Sequence, residues 1–585
     1  MNDLTATAAH WGIEPGYHDV FGSWHPVAPQ TMERLIAAMS RCSDPGPNPP
    51  TGEHVGAFQG EGRRWALAVQ LYALRSSRNW GLGDFTDLER LVALAASQGA
   101  SAVGLNPLHA LFVDRPEQAS PYAPNSRLFL NPLYIDVEAV PEFPGLAALG
   151  LAAEVAALRQ TELVNYAGVA RAKLTGLRAA YDRFRAAGSS DRRADFDAFR
   201  QEQGDALLRF ACFETLRRNH APQPWPQWPQ PWRRPDMANL KAFRQGHRGD
   251  CEFHEFLQWV ADRQLRTCQQ TARHHGMPIG LYVDIAVGID PHGADAWSQQ
   301  DTVLADVSVG APPDEFNPAG QDWGLAPLNP GTIAVGDFAA MRQLMRAAMR
   351  HAGAIRIDHV LGLKRIFMIP HGMSAAEGAY VRYPFEPMLR VIAEESQRAR
   401  CVVIGEDLGT VPEGFRETLA NWGLWSYRVM LFERDYEGRF RHPETYPGEA
   451  LATFNTHDLP AHRGWLSGRD LQVKKALTID PGESEEQRRH AQNMLRAILG
   501  ERMPDHAADD FAAVAAFLGA TPSRLVSVAL DDILGVPDQI NIPGTIDQHP
   551  NWRRKLPVTI EELERHDGLN RVAQAFVQAG RSCAP

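Results

Sequence analysis

Eight short runs rich in β-branched and apolar residues recur along the chain, most of them separated by stretches with helical periodicity. They are WALAVQLYAL (65–74), SAVGLNPL (101–108), IGLYVDIAV (279–287), AIRIDHVL (354–361), CVVIGED (401–407), WSYRVMLF (425–432), LATFNTHD (451–458) and RLVSVALDDIL (524–534). Alternating β and α signals favour a parallel sheet, and eight such strands are the number that closes a barrel. The helical pattern is clear in FTDLERLVALAASQGA, where apolar residues recur at three and four and Gly99 is placed to end the helix. The gap between the second and third runs breaks the rhythm. Residues 109–278 are too many for one βα unit, and the Ala-, Arg- and Glu-rich part from about 145 to 275 reads as several helices. The expected fold is therefore α/β: a (β/α)8 TIM barrel with a large, mainly helical insertion between strands 2 and 3 and no C-terminal β-sandwich. Residues 1–60 read as a short helical element, QTMERLIAAMSRC, and a turn-rich linker, residues 61–565 as the barrel, and residues 566–585 as a tail.

Bulk properties narrow the chemistry. A chain of 585 residues with 44% hydrophobic composition can bury a large core. Its formal net charge of −11, with no basic patch, argues against nucleic acid as a partner, because that binding rests on many Lys and Arg contacts to phosphate. The N-terminal MNDLTATAAHWGIEPGY lacks a cationic segment followed by an apolar one, and no run of about 18 apolar residues occurs, so neither export nor a membrane partner is expected. Cys42, Cys212, Cys251, Cys268, Cys401 and Cys583 include no CxxC pair, which fits reduced thiols and a cytoplasmic enzyme.

Three carboxylates close three of the strand-like runs: Asp358 in AIRID, Glu406 in CVVIGE and Asp458 in NTHD. Parallel barrels gather their active sites at the carboxyl ends of the strands, so acids about one βα unit apart converge there. A retaining glycosidase needs one carboxylate as nucleophile and one carboxylic acid that protonates the leaving oxygen, about 5 Å apart. A third carboxylate that hydrogen-bonds sugar hydroxyls strengthens in the oxocarbenium-like transition state. Arg356 shares a strand face with Asp358 and is expected to hold it ionised, whereas Glu406 needs a raised pKa to carry its proton. A lone strand-end acid equally caps a helix or makes a structural ion pair. The Pro-rich PQPWPQWPQPW (222–232) has two readings: a sugar-stacking platform of Trp225, Trp228 and Trp232, or a stiff connector with its tryptophans packed inside.

The runs RIDHVLGL, VVIGEDLGTVP and FNTHDLP resemble signature segments of the 4-α-glucanotransferases of glycoside hydrolase family 77, in the α-amylase clan. So do QLYALRSSRNWGLGDFTDL, GLNPLHALF, SPYAPNSRLFLNPLYIDV, SVGAPPDEFNPAGQDWG, EGAYVRYP and NIPGTIDQHPNW, which together span most of residues 65–556. The resemblance implies Asp358 as nucleophile, Glu406 as general acid/base and Asp458 as transition-state stabiliser. It implies Tyr122 as the aromatic beside the cleavage point with Ser120 nearby, and Arg356 and His457 as contacts to nucleophile and sugar. The alternative for Tyr122 is a packing tyrosine with a satisfied hydroxyl. A mobile acceptor-side loop is implied at about 308–330, with Asp314, Phe316, Gln321 and Trp323 as sugar contacts, against the alternative of a plain surface loop. Asn541 matches another substrate-side loop, and His109 is either a sugar contact or a core histidine. The longer bacterial members carry an extra N-terminal β-rich domain ahead of the barrel, whereas about 60 residues precede the first strand here, so no contribution of such a domain to long-glucan binding is expected. Expected partners are α-1,4-glucans, with glucose as acceptor; no metal and no cofactor is expected. Two rival readings are an α-1,4-glucan hydrolase of the same clan and a non-catalytic glucan-binding protein.

Overall fold

The computed structural model describes residues 2–19, 22–41, 54–313, 319–507 and 509–582. All eight strand-like runs form strands of one parallel sheet: β1 (Arg64–Val69), β2 (Ala102–Leu105), β3 (Gly280–Ile285), β4 (Ala354–Ile357), β5 (Val402–Gly405), β6 (Ser426–Val429), β7 (Ala450–Thr453) and β8 (Leu525–Ala529). Their order is β5-β4-β3-β2-β1-β8-β7-β6. The remaining edge is closed by a parallel bridge between Ile404 and Trp425, where Trp425 N–H donates to the Val403 carbonyl at 2.9 Å and Gly405 N–H to the Trp425 carbonyl at 2.8 Å. Strands such as β2 and β5 are buried at every residue, which explains why they read as unbroken apolar runs rather than alternating ones.

Helices pack around this barrel. α1 (Phe85–Ser97) starts at Asp84, whose carboxylate accepts from the Thr86 and Asp87 N–H groups while Asp87 reaches back to the Asp84 N–H, a capping box that fixes where β1 turns into its helix. Gly99 follows with φ +80°, a left-handed conformation that favours glycine. Between β2 and β3 the chain makes a short ribbon (His109–Ala110 with Ser126–Leu130). It then runs through helices at Tyr166–Ala187 and Ser190–His220 before returning in α2 (Arg248–His274), which packs on α1 and leads into β3. α3 (Val335–Met349), α4 (Phe385–Ala399), α5 (Phe415–Asn421) and α6 (Phe511–Ala520) continue the outer layer. Among the described residues no helix is long and apolar enough to cross a membrane.

Three parts of the chain differ from the sequence expectation. First, within the stretch read as a tail, Asp567–Gln578 forms α7, the last helix of the outer layer. Its Phe576 stacks on Trp65 of β1 at 4.9 Å, and beyond it the buried Arg581 guanidinium donates to the carbonyls of Gly519, Thr521, Ser523 and Arg64. Second, a four-stranded antiparallel sheet stands beside the barrel mouth, in the order Ala379–Arg382, Arg365–Pro370, Val307–Ala311, Gln321–Leu325. The segment read as a loop at 308–330 thus contributes two paired strands, and Asp314 and Phe316 lie outside the described residues. Third, the N-terminal element is not free-standing. Trp11, Ile13, Leu35 and Met39 form one buried cluster with Val307, Val309, Met368 and Val381 of that sheet, and Glu14 pairs with Arg365 at 2.6 Å.

The tryptophan-rich segment takes its connector reading. Trp228 is 1% exposed and Trp225 9%, with their indole N–H groups donating to the Gln223 and Pro291 carbonyls. Trp228 packs against Phe213 and Trp297, and Trp232 against Phe243. No broad indole face of Trp225 or Trp228 is left for a sugar. His109 is likewise a core residue: it is buried, its Nε2 accepts from Ala286 N–H, and burial pushes its pKa down to about 3.

Candidate functional site

The barrel mouth gathers acids from adjacent strands. Asp284 lies in β3, Asp358 directly follows β4, Glu406 directly follows β5, and Asp458 sits in the loop after β7. Arg356 of β4 is the cation among them. Its Nη1 donates to Asp284 Oδ2 at 2.6 Å and to Asp358 Oδ1 at 2.9 Å, and its Nη2 lies 4.0 Å from Glu406 Oε2. One buried guanidinium is therefore shared by three carboxylates, and its other side faces the Tyr427 ring at 5.4 Å. Burial alone lowers a guanidinium's pKa, but these acids more than reverse that and hold it well above its usual range.

Sharing changes the expected electrostatics of Asp358. Burial pushes its carboxyl up, Arg356 opposes this, and Asp284 and Glu406 add like-charge repulsion, leaving a pKa of about 6. Arg356 does draw Asp358 toward its ionised form, though the shorter of its hydrogen bonds goes to Asp284. Asp358 still stays mostly ionised at neutral pH.

Glu406 is gripped on both oxygens. His359 N–H donates to Oε2 at 2.8 Å and Leu408 N–H to Oε1 at 2.9 Å, and its own N–H donates to the Ile357 carbonyl. His359 reaches that position through a left-handed backbone, φ +48°. Gly405 permits the close approach of the two strand ends, since a Cβ there would meet Val360 side-chain atoms at 2.9 Å. Burial raises the Glu406 pKa despite Arg356 and the two N–H donors, the direction a proton-carrying acid needs.

Asp458 has the opposite balance. Burial pushes its carboxyl up, but His457 at 3.3 Å and the Asn541 amide, donating to Oδ1 at 2.6 Å, bring it net below the ordinary aspartate value. Its side chain is 44% exposed, the most open of the acids at the mouth. Gln539 fastens this loop by donating to the Asp458 and Asn541 carbonyls, each at 2.7 Å.

Tyr122, delivered by the segment between β2 and β3, joins the two sides. Its hydroxyl donates to Asp284 Oδ2 at 2.6 Å and lies 3.2 Å from His457 Nδ1, while its ring stacks on His457 at 4.6 Å. The hydroxyl is satisfied, as a packing tyrosine requires, yet the residue is only half-buried and opens on the site. Ser120 is adjacent, its Oγ accepting from the Tyr122 N–H at 3.4 Å. On the other flank, Trp323 meets His359 edge-on at 5.3 Å, and its indole N–H donates to Gln321 Oε1, which brings the hairpin beside Asp358. Asp358, Glu406, Asp458, Arg356, His457, Tyr122, Ser120, Asn541, Gln321 and Trp323 thus share one mouth.

Sequence reading passed over Asp284, Gln539 and His359. For Asp284 a signal existed: the run IGLYVDIAV carries its acid near the strand end just as AIRID does. A cavity of about 90 Å³ lies among Gln70, Asn106, Tyr122, Asp284, Arg356 and His457. Among the described residues no three His, Cys, Asp or Glu side chains converge in the way a metal ion requires.

Known proteins share this architecture. The 4-alpha-glucanotransferase family profile matches residues 69–560. A 4-alpha-glucanotransferase of Mycobacterium tuberculosis is 39% identical over 558 residues, covering 89% of this chain and 76% of that protein. One from Haemophilus influenzae is 36% identical over 539 residues, covering 86% and 77%. The crystal structure of amylomaltase from Corynebacterium glutamicum superposes with a TM-score of 0.86 at 28% identity, covering 98% of this chain and 99% of that one. An amylomaltase from Streptococcus agalactiae, solved with acarbose, shares the fold at a TM-score of 0.73 and 20% identity, covering 89% of this chain and 100% of that one. A profile match over most of the barrel, together with identity of this extent, shows that the chain belongs to the 4-α-glucanotransferase family.

Proposed function

We propose that this 4-α-glucanotransferase moves a segment of an α-1,4-glucan to the 4-hydroxyl of another glucan, or of glucose, by double displacement. The Asp358 carboxylate attacks the anomeric carbon while Glu406 gives its proton to the departing 4-oxygen, leaving a β-linked glucosyl ester on Asp358. The acceptor's 4-hydroxyl then passes its proton to Glu406 as its oxygen displaces Asp358, restoring an α-1,4 bond. One bond of the same kind is broken and one is made, so the net reaction needs no redox or group-carrying cofactor. Asp458, the most open acid, takes hydrogen bonds from the hydroxyls of the distorted sugar.

The observation that carries this reading is the pair Asp358 and Glu406 at neighbouring strand ends under one guanidinium, differently held. Glu406 receives two backbone N–H donors and lies 4.0 Å from Arg356, whereas Asp358 bonds to it directly. Tyr122 and Trp323 supply apolar surface on either side, which favours a sugar over water as the incoming group; Phe316 is assigned the same task. That the Streptococcus agalactiae amylomaltase forms a complex with acarbose agrees with a glucan-like ligand for this chain. A cytoplasmic location fits the four described cysteines, Cys212, Cys251, Cys268 and Cys401, all buried free thiols.

Product analysis tests the proposal. Incubated with maltotriose alone, the enzyme should release glucose and build longer maltodextrins. A steady rise in reducing ends with no product longer than the substrate would make it a hydrolase instead.

A further inference from the structure

Tyr122 has one hydroxyl proton and two close neighbours able to use it. Asp284 Oδ2, at 2.6 Å, also takes the Arg356 Nη1 hydrogen bond at 2.6 Å, so that oxygen acts only as an acceptor, and the tyrosine proton points to it. The Tyr122 oxygen is then left with lone pairs toward His457 Nδ1 at 3.2 Å, a contact that requires a hydrogen on Nδ1. On the far side of the ring, Nε2 lies 3.3 Å from Asp458 Oδ2, an acceptor that requires a hydrogen on Nε2 as well. An imidazole with hydrogens on both nitrogens is an imidazolium.

We propose that Asp284 is a positioning residue: by committing the Tyr122 proton it holds His457 as a doubly protonated imidazolium between Tyr122 and Asp458. The chain then runs Asp284, Tyr122, His457, Asp458, from β3 across the barrel mouth to the loop after β7. Its surroundings agree in sum. Of the charged groups around the ring, Asp458 from its own loop, Asp284 from β3 and Asp358 after β4 favour the cation, while Arg356 from β4 opposes it; the Trp552 ring and the Asn541 backbone N–H that meet this segment carry no charge. Burial pushes the His457 pKa down, but the Asp458 contact reverses this and leaves it above the ordinary histidine value. The working consequence rests on the mechanism proposed above. A cation fixed beside Asp458 keeps that carboxylate ionised, and the long 3.3 Å contact, with Asn541 anchoring the other oxygen, leaves Oδ2 a second lone pair for a sugar hydroxyl.

The test does not use activity, so its failure is distinct from failure of the transferase mechanism. In full-length protein with nitrogen-15 histidines, His457→Gln identifies the His457 ring resonances. Both ring nitrogens should appear in the protonated range at neutral pH in the free enzyme. In Tyr122→Phe, which strands the Nδ1 hydrogen without an acceptor, and in Asp284→Asn, which removes the negative charge that fixes the tyrosine proton, His457 should deprotonate at a lower pH than in the parent. Both variants are first checked for native circular dichroism, and either one that folds suffices. A parent His457 with one unprotonated nitrogen at neutral pH overturns the proposal. So does an unshifted titration in the folded variants.

Discussion

Asp358→Asn will lose transfer activity by about 10⁴-fold or more while the protein stays folded, because without the carboxylate no glucosyl ester forms and the remaining groups only bind and orient. The structure sharpens the second half of that expectation. Ionised Asp358 sits in a buried site beside Asp284 and Glu406 and has a pKa of about 6, so its charge is disfavoured there relative to the unfolded chain. A neutral amide of the same shape relieves that repulsion. The thermal midpoint of Asp358→Asn should therefore equal or exceed that of the parent, a separation of activity from stability that a merely destabilising change cannot imitate. Glu406→Gln differs in kind: loss of the general acid costs about 10²–10⁴-fold on glucan donors, and less on a donor whose leaving group departs without a proton. Steady-state rates on maltotriose and on such an activated donor, beside a thermal melt, check both.

Arg356→Met is the second large effect. It removes the cation that hydrogen-bonds Asp284 and Asp358 and faces Glu406, leaving clustered buried carboxylates without their shared counter-charge. Breaking a buried pair in this way costs about 3–5 kcal/mol. The pH dependence has a definite sign. The nucleophile must be ionised, so the rate of the parent enzyme falls as pH drops through about 6. Without Arg356 the Asp358 carboxyl rises further, and the acid limb of the rate profile moves to higher pH. Stability follows linkage: carboxyls whose folded pKa is raised favour the folded state at low pH, and this contribution is lost as pH rises through the folded value. Arg356→Met should thus be closest to the parent in acid and most destabilised at alkaline pH. Rate profiles and urea midpoints across the pH range measure both.

How much of this was legible in the sequence depends on how local the signal is. Most of the eight barrel strands are buried at nearly every residue, so each is a short run rich in apolar residues and announces itself. The three acids stand at the ends of those runs, where barrel geometry alone brings them together. The antiparallel sheet was not read, since RIFMIP follows AIRIDHVLGL after a single tight turn and the hairpin strand QDWGL alternates between intermediate and exposed residues. The N-terminal helical element was read only as a unit ahead of the barrel, because its apolar stripe meets partners some three hundred residues away. α7 was taken for a tail because it lies beyond the last strand, yet its amphipathic face, with Leu569, Val572 and Phe576, is what covers β1. The sharing of Arg356 was not legible for the same reason: Asp358 is two residues from it, whereas Asp284, which takes the shorter hydrogen bond, is 72 residues from it and known only from the fold.

The central claim is a covalent glucosyl ester on Asp358 with Glu406 as its acid and base. It is tested most directly by trapping. Glu406→Gln given a 5-fluoro-α-glucosyl fluoride forms the ester without needing the acid but cannot hand it on, and peptide mass spectrometry then locates the sugar. The account predicts a single glucosyl adduct on the peptide carrying Asp358, absent from the Asp358→Asn, Glu406→Gln double variant. An adduct on Asp284 or Asp458, or release of product with inverted anomeric configuration and no adduct, would contradict it.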